Sequence, residues 1–244
     1  RKSISGDVLV NLAAVHRDDN THSEYNDTNV KGTENIIKVC EEKRIKKIIF
    51  TSSVAVYGFA LPNTGENGQI KPFNDYGRTK FTAETKYQAW QKKDASRSLI
   101  IIRPTVLFGE GNRGNVYNLF RQIAKKRFLM VGAGLNKKSL AYVGNFAIFL
   151  NKCVFSKSHS LTFNYVDHPD MTMNELIEFV KINLNQKKKI GFRMPYIIAV
   201  LIGLCADVVS KVTGKKFKIS SVRVKKFCSS TSFSSKHKTL KGFK

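Results

Sequence analysis

The sequence predicts a doubly wound α/β fold, in which a parallel sheet carries helices on both of its faces. Three short apolar runs are typical of buried strands: DVLVNLAA at 7–14, IKKIIFTSS at 45–53 and SLIIIRP at 98–104. Helical patterns separate them at 28–43 and 76–91. Strands and helices that alternate at this spacing indicate parallel strands joined by right-handed crossovers.

Each element of this pattern has its own local support. The first run is almost wholly apolar, which indicates a strand buried on both faces. In the first helical segment the apolar residues Val30, Ile36, Ile37 and Cys40 recur at helical spacing. The second strand is rich in β-branched residues, and Pro104 ends the third strand.

The pattern loosens after residue 107. A Gly-rich polar loop at 109–115 precedes an amphipathic helical pattern at 116–126, and further short strands and helices follow. We therefore predict one doubly wound domain over 1–108. A smaller lobe over 109–228 returns some of its elements to the main sheet, and the Ser/Lys-rich tail at 229–244 is predicted to be flexible.

The charge balance is strongly basic, with 42 Lys and Arg against 18 Asp and Glu and a net charge of +24. Such a charge suits nucleic acid or an anionic membrane. The sequence has neither a basic motif interleaved with aromatic residues nor a zinc-finger spacing. We therefore expect a Lys-rich solvated surface and no nucleic-acid partner. The same charge would attract an anionic nucleotide substrate.

The four cysteines, Cys40, Cys153, Cys205 and Cys228, form no C-x-x-C motif. Their spacing suits neither a metal site nor a disulfide framework. We expect reduced thiols in a cytoplasmic protein, with no bound metal.

The most apolar run, MPYIIAVLIGLCA at 194–206, has 13 residues. A bilayer span needs about 20 residues, so the run is too short to cross a membrane. A buried or partner-facing helix is the favoured interpretation. The basic neighbours Lys211, Lys215 and Lys216 keep open a helix at 194–213 that contacts a membrane surface.

Tyr76 and Lys80 lie four residues apart in the stretch NDYGRTKFTAE. On a helix this spacing places both side chains on one face. An ammonium group beside a phenol favours the phenolate, so we expect Lys80 to lower the pKa of Tyr76. A tyrosine with a lowered pKa can move protons near neutral pH. The pair also occurs by chance on surface helices, so its meaning depends on its surroundings.

The second predicted strand ends in Thr51, Ser52 and Ser53. Ligands of doubly wound sheets bind at the carboxyl ends of the strands. A strand-end turn would explain these hydroxyls equally well. At this edge, however, a serine hydroxyl could hydrogen-bond the oxygen that Tyr76 deprotonates.

Five motifs in fixed order resemble one protein family: NLAA, NVKGTENI, IIFTSSVAVYG, YGRTK and IIRPTVLFGEGNRG. The sequence is similar to the extended short-chain dehydrogenase/reductases, and most of all to the NAD-dependent epimerase/dehydratase branch that works on nucleotide sugars. The resemblance covers residues 5–150 well and 151–228 more weakly. It implies a Rossmann-like fold with a smaller C-terminal substrate-binding lobe.

The resemblance also implies roles for individual residues. Tyr76 is the catalytic acid/base, Lys80 holds the nicotinamide ribose, and Ser53 orients the reacting hydroxyl or carbonyl. The implied cofactor-binding residues, besides Tyr76 and Lys80, are Leu12, Ala13, Ala14, His16, Asn29, Thr51, Ser52, Pro104 and Thr105. The implied substrate-binding residues are Ser53, Arg113, Asn115, Asn118 and Lys138. His16 could equally be a solvated loop histidine, and Arg113, Asn115 and Asn118 a polar loop and helix face.

Departures from the family pattern narrow the reaction. Val54 and Ala55 stand where the family's 4,6-dehydratases carry an Asp-Glu pair, so simple dehydration is disfavoured. Val106 and Lys138 stand where relatives carry an Asn and an Arg that contact the substrate diphosphate. Lysine supplies charge but no bidentate fork. We expect Asp75 to be the helix N-cap rather than a catalytic group.

The family's opening strand, Gly-rich turn and helix are missing before Asp7, and VGAGLN at 131–136 does not open a helix. We therefore expect the chain to be a fragment that begins within its own nucleotide-binding domain and binds cofactor poorly by itself. The choice between NAD and NADP stays open, because the residue that makes it would lie in the missing part.

The function implied by the resemblance is a nucleotide-sugar epimerase or oxidoreductase, most similar to UDP-hexosamine 4-epimerases of polysaccharide biosynthesis. The main alternative is an NADPH-dependent reductase of a 4-keto-6-deoxy nucleotide sugar. Weaker alternatives are a 3-beta-hydroxysteroid-dehydrogenase-like enzyme and a non-catalytic relative that binds dinucleotide or RNA. Relatives dimerise through two helices, which here correspond to 28–43 and 76–92.

Overall fold

The structure is a computed structural model that describes residues 6–16, 20–214, 217 and 219–236. The chain forms two compact units. The first comprises Arg1–Gly109, Leu140–Asp167 and Phe233–Lys244, and the second Glu110–Ser139 and His168–Ser232. We had placed the boundary after residue 108 and expected elements to return to the main sheet. The segment 140–167 is one that belongs with the first unit.

The described residues form nine strands and eight α-helices. The strands are β1 (Val8–Asn11), β2 (Lys47–Thr51), β3 (Ser98–Pro104), β4 (Val106–Phe108), β5 (Met130–Val131), β6 (Lys137–Tyr142), β7 (Ser160–Tyr165), β8 (Asp167–Thr172) and β9 (Arg193–Met194). The helices are α1 (His22–Tyr25), α2 (Gly32–Glu42), α3 (Asp75–Lys92), α4 (Asn115–Ala124), α5 (Val143–Phe155), α6 (Met173–Asn183), α7 (Tyr196–Thr213) and α8 (Ser221–Cys228). A π-helical segment, Asn26–Lys31, joins α1 to α2, and a 3₁₀ turn, Val54–Tyr57, follows β2.

The first unit is built on a four-stranded parallel sheet with the order β1-β2-β3-β7. Alternate side chains of its strands point to opposite faces. On one face Ile49, Ile100 and Ile102 pack against α5 through residues that include Phe146 and Phe149. On the other face, β2 and β3 pack against α2 and α3 through Cys40, Ala83, Tyr87 and Trp90. Helices on both faces of a parallel sheet confirm the predicted doubly wound α/β class.

The C-terminal segment departs from the flexible tail that we predicted for 229–244. Phe233 is buried with Val56 and Tyr57, and a β-bridge joins it to Thr64. The side chain of Asn164 donates a hydrogen bond to the Ser234 carbonyl, 2.9 Å away. Phe233 is therefore part of the first unit's core, and hydrogen bonds fix the residues that follow it to the same unit. Residues 237–244 lie outside the described residues.

The second unit contains α4 and α6, the paired strands β5 and β9, and the helices α7 and α8. A capping box at Thr172 starts α6, and the Ser220 side chain caps α8. The apolar run, for which we expected a buried or partner-facing helix, forms the longer helix α7, and most of its large side chains are exposed rather than buried. Among the described residues, α7 is the one helix long and apolar enough by length and composition to cross a membrane.

Candidate active site

The candidate site lies at the carboxyl ends of β1, β2 and β3, where doubly wound sheets bind ligands. Asn11 pairs with Phe50, and Thr51 pairs with Ile102, so the three strands end together. Leu12 and Ala13 follow β1 as exposed residues. The structure therefore brings the loop after β1 to the same edge as the Thr51–Ser53 stretch.

Ser53 and Tyr76 meet at the start of α3. The Ser53 hydroxyl accepts a hydrogen bond from the Ala55 backbone N–H at 3.1 Å and caps the 3₁₀ turn. It also lies near enough to the Tyr76 phenol to act on that group's pKa in the lowering direction. Gly77 makes this approach possible, because a Cβ atom there would lie 2.4 Å from the Ala55 carbonyl oxygen. The absence of a side chain at Gly77 thus lets the start of α3 pack against the turn that carries Ser53.

The pKa of Tyr76 moves in the opposite direction to our expectation. Burial raises it, and the nearby Ser53 hydroxyl only partly offsets that effect. Lys80 makes no resolved contribution to this shift. The expectation was wrong for this state of the protein, because desolvation of the phenolate outweighs charge attraction when the lysine is itself directed elsewhere.

Lys80 is buried, with 2% of its surface exposed. Its ammonium nitrogen lies 4.2 Å from the centroid of the Phe50 ring. Burial lowers the pKa of Lys80 to about 7, against a smaller opposing effect of Glu84. A buried amine held over an aromatic ring is poised for a hydroxyl or anionic partner. This is the chemistry that a ribose hydroxyl pair supplies.

Hydrogen bonds of Asn29 join the loop after β1 to helix α3. Its side-chain oxygen accepts from the Val15 N–H at 2.9 Å, and its amide donates to the Val15 carbonyl at 3.1 Å and to Thr79 Oγ1 at 3.0 Å. Thr79 donates in turn to the carbonyl of Asp75 at 2.8 Å. Asn29 lies in the π-helical segment, a distortion often found at functional sites.

Two buried hydroxyls at this edge, Thr51 Oγ1 and Ser52 Oγ, have no hydrogen-bond partner among the described residues. Such groups are costly unless a ligand or water satisfies them. Pro104 and Thr105 end the neighbouring strand and are both buried; Thr105 donates to the Tyr165 carbonyl from its backbone N–H at 2.9 Å. Unsatisfied hydroxyls, the buried Lys80 amine and an exposed loop after β1 together fit a dinucleotide cofactor. Of that loop, His16 is exposed and Ala14 half-buried.

Asn74, and not Asp75, caps α3. The Asn74 side chain accepts from the Gly77 N–H at 2.9 Å, and Asp75 is the first helical residue. Asp75 instead contacts Arg78 at 2.6 Å and His22 at 3.1 Å on the surface. Asn and Asp are equally good caps, so the sequence alone could not choose between neighbouring positions.

Sequence reasoning missed a second buried polar cluster in the first unit. Arg103 donates two hydrogen bonds to the Glu84 carboxylate, at 2.9 and 2.6 Å, and a third to the Tyr57 hydroxyl at 2.7 Å. Tyr57 donates to Asn164 Oδ1 at 2.8 Å. An arginine in the apolar run SLIIIRP was the available indication, since a buried arginine needs an acidic partner. We call Glu84, Arg103, Tyr57 and Asn164 the Arg103 cluster.

Apart from Ser53, the substrate-binding residues implied by the resemblance lie in the second unit. Arg113, Asn115 and Asn118 are exposed at the start of α4. Lys138 donates to the backbone carbonyls of Lys226 at 3.1 Å and Ser229 at 2.6 Å, and burial lowers its pKa to about 8. In this state the Lys138 ammonium therefore holds the segment after α8.

Comparison with known proteins places this site in context. The family model described as "NAD dependent epimerase/dehydratase family" matches residues 2–157. The chain is 50% identical over 240 residues to the N-acetyl-alpha-D-glucosaminyl-diphospho-ditrans,octacis-undecaprenol 4-epimerase of Escherichia coli O157:H7, which covers 97% of the chain and 72% of the relative. It is 31% identical over 190 residues to the UDP-glucose 4-epimerase of Vibrio cholerae, covering 73% of the chain and 57% of the relative.

Solved structures are similar at lower identity. The UDP-glucuronic acid 4-epimerase from Bacillus cereus in complex with NAD superposes with a TM-score of 0.67 at 17% identity. The match covers 98% of this chain and 69% of that one. At this identity the likeness shows the fold.

Proposed function

Because the chain belongs to the NAD dependent epimerase/dehydratase family, we propose that it inverts C4 of an N-acetylhexosamine carried on a diphosphate. The observation that carries this proposal is the 50% identity, over 97% of the chain, to a 4-epimerase of a diphosphate-linked N-acetylglucosamine. The sugar 1-diphosphate is common to undecaprenyl-linked and UDP-linked substrates. The experiment below therefore tests an undecaprenyl-linked and a UDP-linked substrate separately.

NAD is the cofactor of the family, and bound NAD would accept hydride from the sugar carbon and return it to the other face. Lys80 and Tyr76 would hold its nicotinamide ribose. Thr51 and Ser52 would supply hydroxyls along its length, with Leu12, Ala13, Ala14 and His16 as the adjoining loop. Asn29 would fix that loop through Val15, and Pro104 and Thr105 would border the nicotinamide.

Tyr76 is the proton carrier in this proposal. Its phenolic oxygen takes the proton of the C4 hydroxyl as hydride leaves C4, and returns it after the keto sugar has turned. The phenolate and a protonated Lys80 favour each other, because each offsets part of the other's desolvation in a buried site. Desolvation opposes each charge, and the attraction between the two, which is stronger in a buried site, offsets part of that cost.

Ser53 is the orienting group. Its oxygen accepts the Ala55 N–H, so the hydroxyl hydrogen is left to donate toward the sugar oxygen that Tyr76 deprotonates. Two hydrogen bonds to one oxygen fix the C4–H bond in line for transfer. Arg113, Asn115, Asn118 and Lys138 are retained as proposed contacts to the substrate.

We also propose a cytoplasmic homodimer formed through α2 and α3. Lys86 of α3 and Glu34 of α2 form an ion pair at 2.7 Å that aligns the two helices in one surface. Light scattering during size-exclusion chromatography tests the dimer. A monomer at micromolar concentration would contradict it.

The experiment for the reaction has two arms. The full-length protein is incubated with NAD and either undecaprenyl-diphospho-N-acetylglucosamine in detergent or UDP-N-acetylglucosamine, and the released sugars are separated by chromatography. We expect N-acetylgalactosamine to form without net cofactor reduction. Formation in only one arm identifies the carrier. No epimer in either arm, or stoichiometric NADPH loss with a 4-keto-6-deoxy UDP-sugar, would overturn the proposal.

A further inference from the structure

Helix α7 turns its small side chains toward the second unit and its large ones toward solvent. Ala199 and Gly203 are its buried residues, four apart on one stripe. Gly203 lies so close to the start of α8 that a Cβ atom there would be 2.7 Å from the Ser221 nitrogen. Asp207 continues the stripe and accepts from the Ser221 hydroxyl at 2.6 Å and the Ser221 N–H at 3.0 Å. The helix is thus fixed to α8 along its inner stripe.

The outer face of α7 is apolar and continuous. Positions separated by four, three, four and four residues fall on one side of a helix. This stripe, with the exposed fraction of each residue, consists of Ile197 (72%), Leu201 (56%), Leu204 (48%), Val208 (62%) and Val212 (81%). A helix of a soluble domain has the reverse arrangement, with its large apolar residues inward. A contiguous exposed patch of this kind marks an interaction surface.

Basic residues are concentrated in the part of the sequence that contains α7. Among residues 179–244 the sequence has sixteen Lys and Arg and a single acidic residue, Asp207. Lys211 of α7 and Arg223, Lys225 and Lys226 of α8 are exposed. Lys215, Lys216 and Lys218 add three charges in sequence but lie outside the described residues. The basic excess is therefore concentrated in the C-terminal quarter of the sequence and is not spread evenly along the chain.

Aromatic side chains border both ends of the helix. Phe192 and Tyr196 are exposed at its start, and Phe217 is exposed after its end. Aromatic residues of this kind favour the boundary between headgroups and acyl chains. Apolar stripe, aromatic borders and nearby cations are the three features of a helix that lies in a membrane interface.

We propose that α7 docks the protein on an anionic lipid bilayer, lying parallel to the surface with the Ile197–Val212 stripe among the upper acyl chains. A spanning orientation is disfavoured, because it would carry Asp207 and its bonds to Ser221 into hydrocarbon. A second copy of this chain is a poorer occupant, because α7 and α8 of both copies carry exposed cations and, in this part of the chain, a single acidic residue to pair with them. The inference goes beyond the proposed reaction and needs no turnover to be tested.

The test is flotation of the purified protein with vesicles of phosphatidylcholine, with or without phosphatidylglycerol. We expect flotation with the anionic vesicles and its loss in high salt. The double substitution Leu201→Gln and Val208→Gln should weaken flotation by roughly tenfold or more, because it removes apolar contact with the acyl chains. The matched control, Ile148→Gln and Phe155→Gln, changes two exposed apolar residues of α5 and should float like the unmodified protein.

Three results would overturn the proposal. They are an unmodified protein that does not float, an α7 variant that floats equally well, and an α7 variant that changes the oligomeric state instead. Thermal unfolding of each variant checks that the fold is kept. A protein that floats through α7 but forms no epimer would contradict the proposed function and leave the membrane proposal standing.

Discussion

Helix α3 carries two buried polar clusters that differ in how completely their groups are satisfied. Near its start lie Tyr76 and Lys80, and the adjoining strand end carries two buried hydroxyls without partners. The Lys80 amine lies over the Phe50 ring, and burial lowers its pKa to about 7. One turn later, Glu84 meets Arg103 in a paired, doubly hydrogen-bonded contact. Burial acts to lower the pKa of Arg103, but Glu84 more than offsets that effect and keeps it raised.

The difference separates a site that receives a ligand from one that holds the fold. A buried charge without a partner costs free energy, so a protein retains it where a ligand completes it. A buried pair with all its hydrogen bonds made needs nothing further. We therefore expect substitutions in the first cluster to change activity and substitutions in the Arg103 cluster to change stability.

The largest effect should follow Tyr76→Phe. Loss of the proton carrier should lower kcat by roughly 10²–10⁴-fold, the range for general acid–base groups. The free energy of urea unfolding should stay close to that of the unmodified protein. Tyr87→Phe on the same helix is the matched control, because the Tyr87 hydroxyl accepts from Asn11 at 2.9 Å in the core. It should keep kcat and lose about 1 kcal/mol of stability. Equal losses of kcat in Tyr76→Phe and Tyr87→Phe would contradict a special role for the Tyr76 hydroxyl.

Arg103→Met should have the opposite effect, a large loss of stability rather than of kcat. Breaking a buried pair leaves the Glu84 carboxylate without its partner, and the loss of unfolding free energy should be about 3–5 kcal/mol. Adding Glu84→Met should recover part of that loss. Lys86→Met on the same helix is the control, because it breaks only the surface pair with Glu34 and should cost about 0–1 kcal/mol. Similar losses for Arg103→Met and Lys86→Met would contradict a structural role for the Arg103 cluster.

Lys80→Met should change how stability depends on pH. The folded pKa of Lys80, about 7, lies below its unfolded value of 10.5, so between these values the unfolded chain binds more protons. Lys80 therefore makes stability rise with pH across this window, by about 1 kcal/mol per pH unit. Urea unfolding without cofactor should show that Lys80→Met lacks this part of the slope and is more stable near neutral pH, although inactive. An unchanged slope would mean that Lys80 is charged and paired.

The smallest effect should come from Thr79→Val, a substitution in α3 next to Lys80. It removes the partner of the Asn29 amide, which keeps its bond to the Val15 carbonyl. We expect a loss of about 1 kcal/mol in unfolding free energy. The Michaelis constant for NAD should rise more than kcat falls, because Asn29 positions the cofactor loop. A fall in kcat alone would place Thr79 with the reacting groups.

The sequence predicted the parts of the fold that depend on local pattern. The buried strands and the helices between them follow from apolar periodicity, and the spacing of Ser53, Tyr76 and Lys80 follows from strand-end and helix geometry. The pairing of Glu84 with Arg103 depends on tertiary packing, so no local pattern reveals it. The direction of the Tyr76 pKa shift also depends on burial in three dimensions.

The orientation of helix α7 is a second feature that the local sequence pattern does not reveal. Its composition identified an apolar helix, but hydropathy does not say which side faces the protein. The burial of Ala199 and Gly203 and the close approach of Gly203 to Ser221 show that the small residues face inward. A short apolar run with small residues at every fourth position is therefore ambiguous between a buried helix and an outward-facing one.

The position of Phe233 has a consequence for the order in which the protein is made. A ribosome releases the chain from its N-terminus, so the four parallel strands leave the exit tunnel well before residues 233–236. The buried cluster of Val56 and Tyr57 stays open until Phe233 and the Ser234 carbonyl arrive. During synthesis the first unit therefore stays incomplete until the whole second unit has been made. Until then it exposes an aromatic surface that chaperones would recognise.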